Sequence, residues 1–200
     1  MTEFPAFPAQ PGPAPKVRPA VVTVSSALLV AFVALLLVNT VAALVGTTDA
    51  VNQTMEDAYK DIPNGDAALD LVKAIQVVSL ILNLVAALGF LVLAFFNLKG
   101  SNGSRITTWV LAGIGTLCCA CGIFGAAAGG GFGGDEASKA AAERVAEAYP
   151  SWYQPVTMGA MVLGLLCLIG AIITLALPAA NDYFRKTPPE PQFIPPGQQF

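Results

Sequence analysis

Four runs free of charged side chains, residues 20–45, 74–98, 106–128 and 156–180, constrain this chain more than any other feature. Each is long enough to cross roughly 30 Å of hydrocarbon as a helix, which takes about 20 residues. Only 12 % of the chain is charged, 55 % is hydrophobic, and the mean hydropathy is +0.66. Soluble domains carry about 25 % charged residues. The sequence therefore predicts an all-α membrane protein: an antiparallel four-transmembrane-helix bundle with spans at 20–46, 73–98, 106–130 and 156–180. Short outer helical segments lie in loops 47–72 and 131–155, and Pro-rich tails occupy 1–19 and 181–200.

The third run is the keystone, because it carries Gly113, Gly115, Gly122, Gly125 and Gly129 and ends in a run of glycines through Gly134. With so little side chain, one of its faces can press against a neighbouring helix. Gly125-x-x-x-Gly129 has the small-xxx-small spacing that lets two backbones approach closely in lipid. The glycines beyond it read as a hinge.

Basic residues set the orientation. The tails and the second connection hold Lys16, Arg18, Lys99, Arg105, Arg185 and Lys186 against three acidic residues, whereas the two longer loops hold four basic residues against ten acidic ones. The positive-inside rule then places both termini in the cytoplasm of a cell and both longer loops outside. Lys16 and Arg18 ahead of the first run also suit a signal peptide, but a cleavable apolar region is about 7 to 15 residues and this run is longer. Lys99 and Arg105 read as headgroup-level residues explained by contact with the membrane surface.

Prolines at 5, 8, 11, 13, 15 and 19 and again at 188, 189, 191, 195 and 196 predict extended or disordered tails. Such segments suit a groove-bearing cytoplasmic partner or serve as solvated ends. In the first outer loop Val51, Met55, Ala58 and Ile62 repeat at helical spacing, Pro63-Asn64-Gly65-Asp66 is turn chemistry, and Asp66 can cap the helix that follows. In the second, Ala141, Val145, Ala148 and Tyr149 form an apolar stripe that Pro150 ends, and Trp152 and Tyr153 mark the interface. The two segments form an acidic cap.

Among polar residues within the spans, Asn39 stands beside Thr40 in the first, and Gln76, Ser79 and Asn83 share one face of the second. Asn39 and Asn83 lie at comparable depth. A buried amide in lipid needs a partner, so the first reading is interhelical hydrogen bonding, at about 0.6 to 2 kcal/mol per bond. The second is a polar cavity open to the outside, able to touch a small uncharged ligand. Cys118, Cys119 and Cys121 sit near the middle of the third run and Cys167 near the middle of the fourth. A thiol-redox or soft-metal site is one reading of Cys118, Cys121 and Cys167; small polarizable packing residues are the other. Membrane thiol oxidoreductases with four helices relay electrons through a second cysteine pair in an outer loop, and neither outer loop here contains cysteine.

The chain has no histidine and no ionisable group deep in any run, which disfavours histidine metal ligation, His-activated nucleophiles and proton-coupled transport. No cofactor site and no nucleic-acid surface is expected. By its Ala-, Val- and Gly-rich spans and Pro-rich tails the chain resembles the small four-helix membrane proteins of actinobacteria, a resemblance that implies topology and no activity. Its topology is also similar to that of tetraspanins and claudins, whose diagnostic cysteines lie in outer loops rather than inside the third helix. The sequence thus points to a lipid-embedded, non-catalytic interaction or scaffold subunit of the cell envelope, with a thiol or metal site, or a channel or carrier for an uncharged solute, as alternatives.

Overall fold

The computed structural model describes residues 18–60, 62–127 and 136–185, and every regular element among them is a helix. In order these are α1 (Ala20–Gly46), α2 (Asp49–Lys60), α3 (Gly65–Leu98), α4 (Asn102–Ala127), α5 (Glu136–Ala148), α6 (Tyr153–Ala176) and α7 (Pro178–Phe184). Four of them, α1, α3, α4 and α6, are long and apolar enough to cross a membrane. The tails at 1–17 and 186–200, Gly129 and the glycine run to Gly134 lie outside the described residues.

The long helices touch in a closed cycle, α1 to α3, α3 to α4, α4 to α6 and α6 to α1. Contacts between named residues fix their sense. Along the α1–α6 seam Gly46 meets Tyr153, Phe32 meets Gly164, Leu28 meets Gly170, and the Ser25 hydroxyl donates to the Ala171 carbonyl at 3.3 Å, so the two run antiparallel. Gly115 against Leu168 and Gly122 against Met161 show the same for α4 and α6. The core joins Leu29, Phe32 and Val33 of α1 to Ala87, Phe90, Leu93 and Ala94 of α3, Ala112 of α4 and Leu168 and Ala171 of α6. Phe32 and Phe90 cross edge to face, 5.0 Å between centroids.

The packing is uneven along the bundle. Apart from Gly65 in its first turn, α3 buries residues only from Ala87 onward, while residues 73–79 are exposed on all sides. The bundle is tight toward the end bearing α7 and open at the end bearing α2 and α5. Those two short helices pack on one another, and α2 also packs on α3, burying Val51, Met55 and Ala58 of the predicted stripe together with Ala141. A 2.9 Å ion pair from Lys73 to Glu56 joins this cap to α3.

Three boundaries depart from the sequence expectation. Helix α3 begins at Gly65, with Asn64 in the left-handed region at φ 59° and no side-chain cap, so Asp66 sits within the first turn rather than capping it. A Cβ at position 65 would lie 1.8 Å from the Tyr59 carbonyl oxygen, which makes glycine obligatory there. The second connection is shorter than expected because α4 already starts at Asn102. Gly100, at φ 75°, donates to the Asn97 carbonyl and Ser101 to the Phe96 carbonyl, the Schellman pattern that ends a helix within three residues. The fourth span stops at Ala176: Leu177 is extended before Pro178, as residues preceding proline tend to be, and α7 starts anew at Pro178. Residues 181–184, assigned by sequence to a tail, are therefore folded, with Phe184 buried against Val22 and Leu175.

Candidate functional site

Where α3 stands off from α1 at the cap end, a cavity of about 480 Å³ opens between them. It gathers the four polar residues singled out by sequence, Asn39, Gln76, Ser79 and Asn83, and adds Thr40. Helical geometry accounts for the convergence. Residues 76, 79 and 83 share one face of α3, and antiparallel packing turns that face toward Asn39 at the matching depth of α1. Tyr149 and Tyr153, stacked 4.3 Å apart and 17° from parallel, close the cap end of the cavity. Gln76 and both tyrosines also line a smaller space of about 270 Å³ beneath α2 and α5. The tyrosine stack thus partitions a membrane-level cavity from a second one under the cap.

Interhelical hydrogen bonding by these side chains, the first expectation, does not form. Among the described residues Asn39, Gln76, Ser79 and Asn83 make no side-chain hydrogen bond; Gln76 and Ser79 are exposed, and Asn39 and Asn83 are half-buried. The cavity lies between the amides instead. Thr40 sharpens the point. Thr47, Thr54, Thr107, Thr108, Thr157 and Thr174 each donate to the carbonyl four residues back, the usual resort of a helical threonine. The Thr40 hydroxyl is buried, with the residue 7 % exposed, and has no partner, a state it shares with the Ser26 and Thr116 hydroxyls away from the cavity. No Asp, Glu, Lys or Arg lines the cavity, so what it offers a ligand is neutral donors and acceptors on an otherwise apolar wall.

The glycines of α4 divide between two faces. Gly115 and Gly122, seven residues apart, face inward against Leu168 and Met161, whereas a Cβ on Gly113 or Gly125 would meet nothing within 4 Å. The cysteines divide likewise: Cys119 and Cys167 pack against the core, and Cys118 and Cys121 are exposed. All four are free thiols. Among the described residues no three potential ligands lie together to hold a metal, so the joint site of Cys118, Cys121 and Cys167 is not assembled. The helical rotation between positions 118 and 119 separates an outward thiol from an inward one.

The sequence reading missed the buried polar cluster at the α3–α4 turn. Asn97, fully buried, donates through Nδ2 to the Thr108 hydroxyl at 3.0 Å and accepts from the Ser104 hydroxyl at 2.8 Å. An asparagine two residues before Lys99, followed by Ser101, Ser104 and Thr108, was the available signal. Arg105 also differs from expectation: it is 8 % exposed rather than solvated at the headgroup level, because α7 folds over it.

An all-helical chain with four such spans is a membrane protein. No protein-family model, curated protein or solved structure matches it.

Proposed function

We propose that this is a non-catalytic, multi-pass protein of the cell membrane, with both termini cytoplasmic, that holds an uncharged hydrogen-bonding molecule in the cavity between α1 and α3. The observation that carries the reading is the partnerless Thr40 hydroxyl beside unbonded Asn39 and Asn83 in one cavity. A buried hydroxyl left unpaired costs about 1 to 3 kcal/mol, and turning the Thr40 side chain toward the cavity would let a ligand's donors and acceptors recover that. An aqueous anion or cation is a poor fit, since no opposite charge meets it there. A neutral solute, or the uncharged head of an amphiphile entering sideways from the lipid, fits both the polar and the apolar wall.

The test combines accessibility with retention. In a background with the four native cysteines replaced, Asn83→Cys is expected to react with a membrane-impermeant thiol reagent added from the cap side. Native mass spectrometry of the chain released from its own membrane is expected to show a bound neutral molecule that Thr40→Val and Asn83→Leu lose. An unreactive Asn83→Cys together with a ligand-free spectrum would exclude the reading.

A scaffold role is the second reading, supported by the outward face of α4, where Gly113 and Gly125 stand in open space. Crosslinking in native membranes, comparing the intact chain with one lacking residues 2–15 and 187–200, separates partners held by the tails from partners held by the spans.

A further inference from the structure

Arg105 lies in the first turn of α4, six residues after Lys99, whose ammonium sits 4.4 Å from the Phe95 ring centroid. Both residues are at an end of membrane-spanning helices, the depth of lipid headgroups. The fold then does something unusual with the arginine. Helix α7 turns back over the helix ends, held by the Tyr183 hydroxyl donating to the Leu98 carbonyl at 2.9 Å and by buried Phe184. Arg105 is enclosed as a result, its guanidinium 4.5 Å from the Trp109 ring and 5.5 Å from the Phe184 ring. Nη2 donates to Asn181 Oδ1, and Nε is buried without a partner. Among the described residues no carboxylate pairs with it.

A guanidinium carries five N–H donors and stays charged. Burying Nε without a partner, with one neutral acceptor and two ring faces for the rest of the group, leaves part of the desolvation cost of the ion uncompensated. A cavity of about 620 Å³ opens beside it, lined by Asn102, Arg105, Asn181, Asp182, Phe184 and Arg185. Planar guanidinium groups suit phosphate oxygens, and amide side chains at the rim supply neutral donors. The dipole of α4, positive at this first turn, adds to the attraction for an anion. Asp182 opposes it, but its side chain is exposed and can turn to water.

We propose that this cavity binds the phosphate of an anionic lipid headgroup, with Arg105 as its principal ligand and Asn102 at the rim. The depth of the site within the membrane interface favours a lipid over a dissolved phosphate. The site is separate from the cavity between α1 and α3 and does not depend on it.

The experiment reconstitutes the full chain in nanodiscs of mixed phosphatidylglycerol and phosphatidylcholine and counts retained lipids by native mass spectrometry. The unmutated chain is expected to retain phosphatidylglycerol above its bulk fraction. Arg105→Gln should reduce that preference about tenfold, the value of one charge-assisted contact. Asp182→Asn, at an exposed position and without risk to the buried cluster, should raise it. Equal retention of the two lipids by the unmutated chain would overturn the proposal, as would an unchanged or lower preference in Asp182→Asn. Inorganic phosphate that displaces the lipid and matches its thermal protection would overturn the lipid assignment in favour of a soluble anion.

Discussion

Asn97 and Thr40 are both polar side chains among apolar helices, and their surroundings predict opposite responses to an apolar substitution. Asn97 bonds to Thr108 and Ser104, yet each of those hydroxyls has a backbone acceptor of its own, the Ser104 and Ser101 carbonyls. Asn97→Leu therefore orphans neither, and the expected loss is about 1 kcal/mol, near the mean for interhelical bonds in lipid. Thr40→Val removes a hydroxyl that bonds to nothing and keeps the shape, so without ligand it should stabilise by roughly 1 kcal/mol. Reversible unfolding of each variant in detergent measures both. Destabilisation by Thr40→Val in ligand-free protein would mean that the hydroxyl has a partner in the fold.

Between helices, the glycine contacts decide which substitutions the seams accept. A Cβ on Gly164 would approach two ring atoms of Phe32 at 3.3 Å, and that ring is held edge-on against Phe90. With no slack in the ring, Gly164→Ala is expected to cost about 1 to 3 kcal/mol by overpacking. Gly113→Ala and Gly125→Ala add a methyl group in open space and improve helix propensity, a gain of up to about 1 kcal/mol. Thermal unfolding of the purified chain should thus rank the two outward variants at or above the parent and Gly164→Ala below it. If the outward variants instead weaken crosslinks made in native membranes, the face they share is where a partner helix docks. The cap responds differently. Lys73 and Glu56 are about half exposed, so Glu56→Gln should cost less than about 1 kcal/mol. Met55, 2 % exposed, anchors α2 by burial, and Met55→Ala is expected to cost about 2 kcal/mol or more and to speed hydrogen exchange in α2.

For the molecule as a whole, charge asymmetry across the membrane makes the topology testable without knowing the ligand. In a cysteine-replaced background, Asp57→Cys on the cap should react with an impermeant reagent on intact cells, and Ser101→Cys at the α3–α4 turn should react only after permeabilisation. The reverse pattern would invert the orientation and put the cavity between α1 and α3 on the cytoplasmic side. Uneven packing then acquires a direction. The tight half of the bundle, with the Asn97 cluster and α7 anchored by buried Ala180 and Phe184, lies where α1 begins, and the loose half faces the cap.

Much of this was legible in one dimension. Length and hydropathy alone determine that the four runs become helices, because a helix meets its own backbone hydrogen bonds within the segment and lipid supplies none. The stripe Val51, Met55 and Ala58 likewise marked a short amphipathic helix, and the depths of Asn39 and Asn83 followed from counting residues. What the sequence could not show is how far apart two helices stand. Whether polar side chains at matching depth bond or flank a cavity depends on the separation of α1 and α3. That separation follows from where bulk lies across every seam at once: Phe32, Phe90 and Leu168 close one end, and the stacked Tyr149 and Tyr153 occupy the other. The enclosure of Arg105 had the same origin. Its charge and depth were evident from position, but its burial required a helix from the far end of the chain, turned back by Pro178 and seated through Phe184. Such contacts join residues some 80 positions apart, as the Tyr183 to Leu98 bond does with a separation of 85, and only the tertiary structure brings them together.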